Sequence, residues 1–338
     1  GSGARFNEGD TLFARITPCL ENGKITQAVE IGSPGFGSTE FYVLRGKERI
    51  SDSDFIFYLT RTYRIRKLAE ASMLGASGRQ RVERAAFENI NITIPEDVDE
   101  QKRIAETLSA FDEKIENNNR IIKTLEEMSQ AIFKERFGVL PEALPNGWKM
   151  KKLGNLGRII TGKTPSTKDK ENFGNNYPFI TIPDLQNGVF VVRTERFLSE
   201  QGAGTMSASK LPVGAICVSC IATVGLVAIA TRESFTNQQI NSIIPKSEVL
   251  RPFVFLLLLG MKGGLQAYAS GGTAAPIISK GAFEKIEVVM PPENILTDFY
   301  DSVNPMFEKI MVVLEENQKL IAMRDLLLPR LMSGEIRI

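Results

Sequence analysis

Residues 157–164, Gly157-Arg158-Ile159-Ile160-Thr161-Gly162-Lys163-Thr164, have the spacing of a phosphate-binding loop, in which backbone amides cradle phosphates and a lysine reaches the terminal ones. Their context argues against that chemistry. Pro165 stands where a helix should already be running, Ile159 to Thr161 suit a strand, and no apolar strand ending in Asp supplies a magnesium ligand. Cys217 and Cys220 have redox or metal spacing, but no second cysteine pair or histidine completes a tetrahedral site, so both read as buried structural thiols. Pro291-Pro292-Glu293 is the nearest approach to an adenine methyltransferase motif and lacks both of its flanks.

The 338 residues contain no histidine, which removes the commonest general base, the commonest zinc ligand and every triad built on imidazole. The chain therefore reads as non-catalytic, with no cofactor and no metal of its own. Three cysteines are too few for a disulfide framework and suit a reducing cytoplasm. The longest apolar run, residues 253–259, is too short to span a bilayer, and no membrane partner is expected.

Charge is the remaining chemistry. Forty-one Lys and Arg against 40 Asp and Glu leave a net +1, so affinity for nucleic acid must come from local patches. One patch is residues 149–170, with Lys149, Lys151, Lys152, Arg158, Lys163, Lys168 and Lys170 against Asp169. The other is residues 60–84, with Arg61, Arg64, Arg66, Lys67, Arg79, Arg81 and Arg84 against Glu70 and Glu83. Such clusters neutralise phosphates and make binding salt-dependent; the plainer reading of each is a solvated basic face. Base reading is expected from polar side chains on Gly-rich loops, where backbone can approach a groove. Arg15, Lys24, Arg79, Gln80 and Arg81 are the candidates in the first half, and Lys163, Thr164, Ser166, Lys168 and Thr273 in the second.

The elements that must position these residues are duplicated. Phe87, Ile90 and Pro95 align with Phe283, Ile286 and Pro291 at one offset of 196, and the run Gly9 to Ile16 aligns with Gly214 to Ile221 at an offset of 205. Phe55 to Leu59 matches Phe253 to Leu257, and the loop Gly75-Ala76-Ser77-Gly78 matches Gly271-Gly272-Thr273-Ala274. Each half reads as a mixed α/β (α+β) globule followed by a long helix. Leu108, Phe111, Ile115, Asn118, Ile122 and Leu125 fall at alternating spacings of three and four. So do Val303, Met306, Ile310, Val313, Asn317 and Leu320. One Asn in each seam is the mark of a coiled coil whose register is set by a polar position, as opposed to an ordinary core helix. Residues 96–127 carry ten acidic and five basic residues, so the outer face of the first helix suits protein better than DNA.

These parts in this order resemble the DNA-specificity subunits of Type I restriction-modification enzymes. Asn146-Gly147-Trp148, Leu153-Gly154 and Thr161 to Ser166 resemble the opening of a target-recognition domain of that family. Gly9 to Ile16 with Thr17 to Lys24 resembles its middle. Pro95 with Glu100 to Ala105, and Leu327 to Leu331 with Ser333 to Ile336, resemble the start of the first helix and the end of the second. The resemblance implies tandem target-recognition domains at 1–95 and 148–292, long helices at 96–138 and 293–338 forming an antiparallel coiled coil with a pseudo-two-fold internal repeat, and a linker at 139–147. Only eight residues precede Gly9 whereas 67, from Gly147, precede Gly214, so about sixty residues are expected to be missing from the first domain.

It also implies partners: double-stranded DNA read as a bipartite site, two modification (methyltransferase) subunits that carry S-adenosylmethionine, and restriction subunits in the full complex. A helix of about 36 residues spans roughly 54 Å, against about 34 Å for one turn of DNA, so the helices would act as a ruler. Two other readings stay open: a protein-interaction scaffold built on the coiled coil, and a standalone DNA-binding regulator.

Overall fold

The computed structural model describes residues 3–76, 78–138, 143–186, 188–269 and 276–338. The chain forms two compact units. The first takes residues 1–118 and 316–338, the second residues 119–315, so each long helix contributes one part to each unit. No single helix among the described residues is long and apolar enough to cross a membrane.

The second unit is built on a five-stranded sheet in the order Phe190–Val191, Val227–Ala230, Ile216–Ser219, Ile240–Pro245, Gly157–Thr161. Its central strands are buried on both faces, which is why they read as continuous apolar runs and not as alternation. The helix Leu250–Gly260 packs beneath with Phe253, Phe255 and Leu258 fully buried. The first unit has a three-stranded version, Ile25–Gln27, Thr11–Ala14, Phe41–Leu44, and the helix Ser53–Arg61, whose start is capped by Asp52 accepting from the amides of Asp54 (3.0 Å) and Phe55 (2.9 Å).

The internal repeat extends to individual hydrogen bonds. Thr11, Leu12 and Phe13 face Gln27, Thr26 and Ile25 on one side as Ile216, Cys217 and Val218 face Ile229, Ala228 and Val227. On the other side Thr11 to Ala14 face Leu44 to Phe41, as Ile216 to Ser219 face Ile243 to Ile240. Gly9 and Gly214 both enter their strands in the left-handed region, with φ of +80° and +83°, and each donates to an alanine carbonyl, Ala28 and Ala230, at 2.8 Å.

The long helices run Val98–Phe137 and Glu293–Met332. In the first unit their segments lie antiparallel, because partners fall in number as the first helix rises: Asp112 meets Arg324, and Asn118 meets Asn317. Leu108 is fully buried there, with Phe111, Ile115 and Leu320 half-buried. In the second unit Ile122 and the half-buried Leu125 join Val303, Ile310 and Val313 in one core, and Met306 is half-buried. Phe133 and Phe137 set their rings 5.9 and 5.1 Å from Phe299, edge-on, each such pair worth ~1 kcal/mol beyond its buried area.

The seam asparagines come together: Asn118 Nδ2 donates to Asn317 Oδ1 and to Glu316 Oε2, each at 2.8 Å. A one-residue slip would leave two buried amides without each other, so the pair fixes register as its seam position requires.

Candidate nucleic-acid interface

In each unit the strands deliver a set of loops to one end of the sheet, and a returning segment closes over them. In the first unit the Val82 amide donates to Arg15 O (2.8 Å) and the Thr17 amide to Gln80 O (3.0 Å). In the second, the Ile278 amide donates to Cys220 O (2.8 Å) and the Ala222 amide to Pro276 O (3.1 Å). The isolated bridges Ile16 with Arg81 and Ile221 with Ile277 occupy the same place in both repeats. Loops distant in sequence are thereby held on one edge by backbone, leaving side chains free to vary.

In the second unit that edge gathers the loops after Thr161, Ser219 and Thr236. Lys163 is exposed, and its amide is tied to Thr236 O (2.9 Å). Thr164 Oγ1 donates to Gln238 Oε1 at 2.6 Å, Asn237 Nδ2 to Gln239 Oε1 at 3.0 Å, and Thr161 Oγ1 to Asn241 Oδ1 at 2.7 Å. Ser166 is exposed, with its carbonyl held by Asn172 Nδ2 at 3.0 Å, and Lys168 lies exposed beyond it. Among the described residues no ion pair engages Lys163, Lys168 or Lys170. The cations available there are thus backed by a row of amides. Amides read adenine edges, and lysines hold phosphates. Thr273 and its counterpart Ser77 lie outside the described residues.

Asn237, Gln238 and Gln239 are absent from the sequence candidates. Their signal was present, a run of amide side chains between the apolar strands at Phe235 and Ile240, but only the sheet shows that this turn meets the turn carrying Thr164.

The phosphate-loop spacing has a steric explanation. Gly157 and Thr161 bound a strand paired to Ile240–Pro245, and a Cβ at Gly157 would overlap Ile244 O. A Cβ at Gly162 would overlap Asn237 O and Thr236 Oγ1, so both glycines serve close backbone approach within the sheet. The strand also divides the basic run. Lys149, Lys151 and Lys152 lie on a separate strand paired with Glu287–Met290, while Lys163 follows the far end of Gly157–Thr161, about 16 Å of extended chain from its start.

Burial pushes the Cys217 thiol up to about 12 and the Cys220 thiol up to about 11, offset in part by hydrogen bonds involving Ser242 and Asn241. No group of three or more metal-ligating side chains occurs among the described residues. A neutral-pH thiol reagent is expected to label the half-buried Cys19 first, and Cys217 and Cys220 only on unfolding, as intact-protein mass spectrometry would record. Fast native labelling of Cys220 would contradict its structural role.

The first unit treats its cations differently. Arg81 forms a forked ion pair with Glu40, Nη2 to Oε1 at 2.7 Å and Nε to Oε2 at 2.9 Å, and this hydrogen-bonded guanidinium holds the Glu40 carboxyl below its usual value. Arg15 stacks over Tyr42 at 4.8 Å, with its Nε buried and unpartnered. Arg79 and Lys24 are exposed, and Gln80 is half-buried with its backbone bound to Thr17. Of the other cations in residues 60–84, Arg61 meets Asp112, Arg66 meets Glu21 O, Lys67 meets Glu70 and Arg84 meets Glu88. That run is therefore mostly neutralised within the unit, because carboxylates lie three or four residues along the same helices or across the fold.

Known proteins place this architecture. The sequence profile of the Type I restriction modification DNA specificity domain matches residues 3–127 and again 145–322. The Type I restriction enzyme HindI specificity subunit of Haemophilus influenzae is 34% identical over 405 aligned positions, covering 98% of this chain and 87% of that protein. The MjaIX specificity subunit of Methanocaldococcus jannaschii is 32% identical over 192 positions, covering 52% of this chain and 44% of that protein. In structure, the Type I restriction-modification S subunit from M. genitalium shares the fold with a TM-score of 0.61 at 17% identity, over 97% of this chain and 84% of that one.

Proposed function

This chain belongs to the Type I restriction modification DNA specificity family, and from that premise we propose that each repeat reads one half of a bipartite DNA site while the long helices set the spacer. The chain is a non-catalytic DNA-specificity subunit and acts with other subunits. Two modification subunits dock on the helices and bring S-adenosylmethionine, restriction subunits join in the full complex, and the chain works in the cytoplasm holding no cofactor itself.

The observation that carries the reading is the cluster of Lys163, Thr164, Asn237 and Gln238 at one end of a sheet whose central strands pair in the same register in the other repeat. A frame fixed by main chain lets loop side chains change target without changing the fold. A scaffold that bound only protein would have no use for unpaired lysines beside an amide row.

The test is binding of the full chain with its modification partner to bipartite duplexes across a salt series. Lys163→Ala is expected to weaken binding to all sequences alike and to reduce the salt slope by about 0.9, the share of one phosphate contact. Gln238→Ala is expected to leave the slope unchanged and to relax preference at one base position by about 1–3 kcal/mol. Salt-independent binding, or indifference to both substitutions, would instead favour the scaffold. Strong binding of the chain without any methyltransferase partner would favour the standalone regulator.

A further inference from the structure

One position at the loop end of the sheet changes its chemistry between the repeats. In the first unit the Val82 amide donates to Arg15 O (2.8 Å) and the Arg15 amide to Glu40 O (3.0 Å). In the second the Ile278 amide donates to Cys220 O (2.8 Å) and the Cys220 amide to Gln239 O (2.8 Å). Val82, Arg15 and Glu40 thus correspond to Ile278, Cys220 and Gln239, and Arg81 corresponds to Ile277. Successive side chains of an extended segment point to opposite faces. Val82 and Ile278 are buried, so Arg81 and Ile277 face away from the core, each bridged to an isoleucine, Ile16 or Ile221.

In the first unit the side chains at these two places are charged and closed on each other, Arg81 forked onto Glu40. In the second they are uncharged. Gln239 belongs to the amide row, accepting from Asn237 Nδ2, and Ile277 is 53% exposed. Next to Ile277 stands Ala222, exposed and in the left-handed region with φ of +62°, its amide tied to Pro276 O (3.1 Å). A glycine would take that conformation without strain, yet the position carries a methyl group. A lone exposed isoleucine is ordinary on a protein surface. This one, with Ile221 and Ala222, forms an apolar step on an edge whose other members are amides and lysines.

The two kinds of side chain match the two halves of one base pair. An amide exchanges a pair of hydrogen bonds with the major-groove edge of adenine, and the thymine opposite presents a 5-methyl group, the one apolar group in that groove. Ile277 and Gln239 flank the Ile221 segment, so about two strand spacings, roughly 10 Å, separate them, which is about three base-pair steps. We propose that Ile277, backed by Ile221 and Ala222, is a specificity-determining residue that packs on the 5-methyl group of a thymine in the half-site of the second repeat, within about three base pairs of the adenine held by the amide row. The inference rests on the assignment of this edge to DNA and deepens it.

The test uses two duplex libraries, identical except that thymine in one is replaced in the other by uracil, which lacks the 5-methyl group. Each is bound to the full chain with its modification partner. The wild-type chain is expected to select a thymine within about three base pairs of the position relaxed by Gln238→Ala. Replacing that thymine alone by uracil is expected to weaken binding about fourfold, the weight of one buried methyl group. Ile277→Ala is expected to bind the thymine and uracil duplexes equally, with the salt slope of the parent chain. The uracil exchange on the wild-type chain needs no substitution in the protein, so it stands whatever the variant does to folding. Selection of no thymine in that interval, equal wild-type affinity for both duplexes, or a uracil penalty that persists in Ile277→Ala each overturns the inference, and salt-dependent, base-selective binding alongside any of them leaves the edge assigned to DNA. Binding that is neither salt-dependent nor base-selective removes that assignment and the inference with it.

Discussion

An Asp112→Ala variant is expected to lose about 3 kcal/mol of stability in the first unit, a fall of roughly 6–12 °C in its melting temperature for a domain of this size. Asp112 lies on the first long helix and accepts from three groups on two other helices: Tyr58 Oη at 2.9 Å, Arg61 Nη1 at 2.8 Å, and Arg324 Nη1. Arg324 occupies a seam position that an apolar residue would ordinarily fill, and its side chain is only 15% exposed. Without the carboxylate, two guanidinium groups face each other across a partly dry site, and the Tyr58 hydroxyl loses its acceptor. The loss falls at the low end for a broken buried pair because Asp112 and Arg61 retain some contact with water. The same site predicts a pH effect. Burial pushes the Asp112 carboxyl up, but the Arg324 hydrogen bond, the Arg61 charge and the Tyr58 hydroxyl outweigh it and leave the group below its ordinary 3.8. A depressed carboxylate stabilises the fold above its unfolded value and loses that contribution as pH falls through its folded one. Wild-type stability should therefore drop below about pH 4, and the drop should be shallower in Asp112→Ala. Urea melts from pH 2.5 to 7 read both effects; parallel curves would remove Asp112 from the acid transition.

The helical seam was legible in the sequence because a coiled coil is a local code. Positions repeat every three and four residues, and a polar residue in the seam announces its own counterpart, so Asn118 and Asn317 could be paired in kind before any coordinates. The repeat was legible for a similar reason: Gly9 and Gly214 mark the same left-handed turn into the same strand. The reading edge was harder, because its members come from turns far apart in sequence. Lys163 and Thr164 were visible as residues of a Gly-containing basic run, yet Gln238 becomes their neighbour only through the pairing of Gly157–Thr161 with Ile240–Pro245. Charge was the least reliable signal. Arg81 stands in a basic cluster and is nonetheless forked onto Glu40, some forty residues upstream, because strand Arg81–Val82 returns beside the loop that carries it. A count of like charges along the chain carries no information about carboxylates delivered across the fold. The division of the second basic run, Lys149 to Lys152 on one strand and Lys163 beyond the far end of another, is equally a property of the sheet.

Excising residues 115–121 together with residues 314–320 is expected to shorten the preferred DNA spacer by about three base pairs. The two heptads face each other in the seam and contain Asn118 and Asn317, so the buried amide pair leaves whole and neither partner is stranded. Seven residues advance an α-helix by about 10 Å, which is about three base-pair steps of 3.4 Å. They also complete two turns to within about 20°, so the residues on either side keep their faces and the apolar seam can close again. The duplex does not share that period. Over three steps at about 10.5 per turn it rotates by roughly a third of a revolution, so a ruler shortened by one heptad meets the second half-site out of phase with the groove. Two consequences follow for a binding series in which the spacer is varied one base pair at a time. The optimum should move to the shorter spacer, and affinity there should be lower than the parent chain shows at its own optimum, by the cost of twisting the duplex into phase. Removing four residues from each helix instead turns the seam about 40° out of line and should lower stability without producing a clean new optimum. A parental optimum retained after the heptad excision would remove the helices from spacer measurement, leaving that role to the recognition loops themselves.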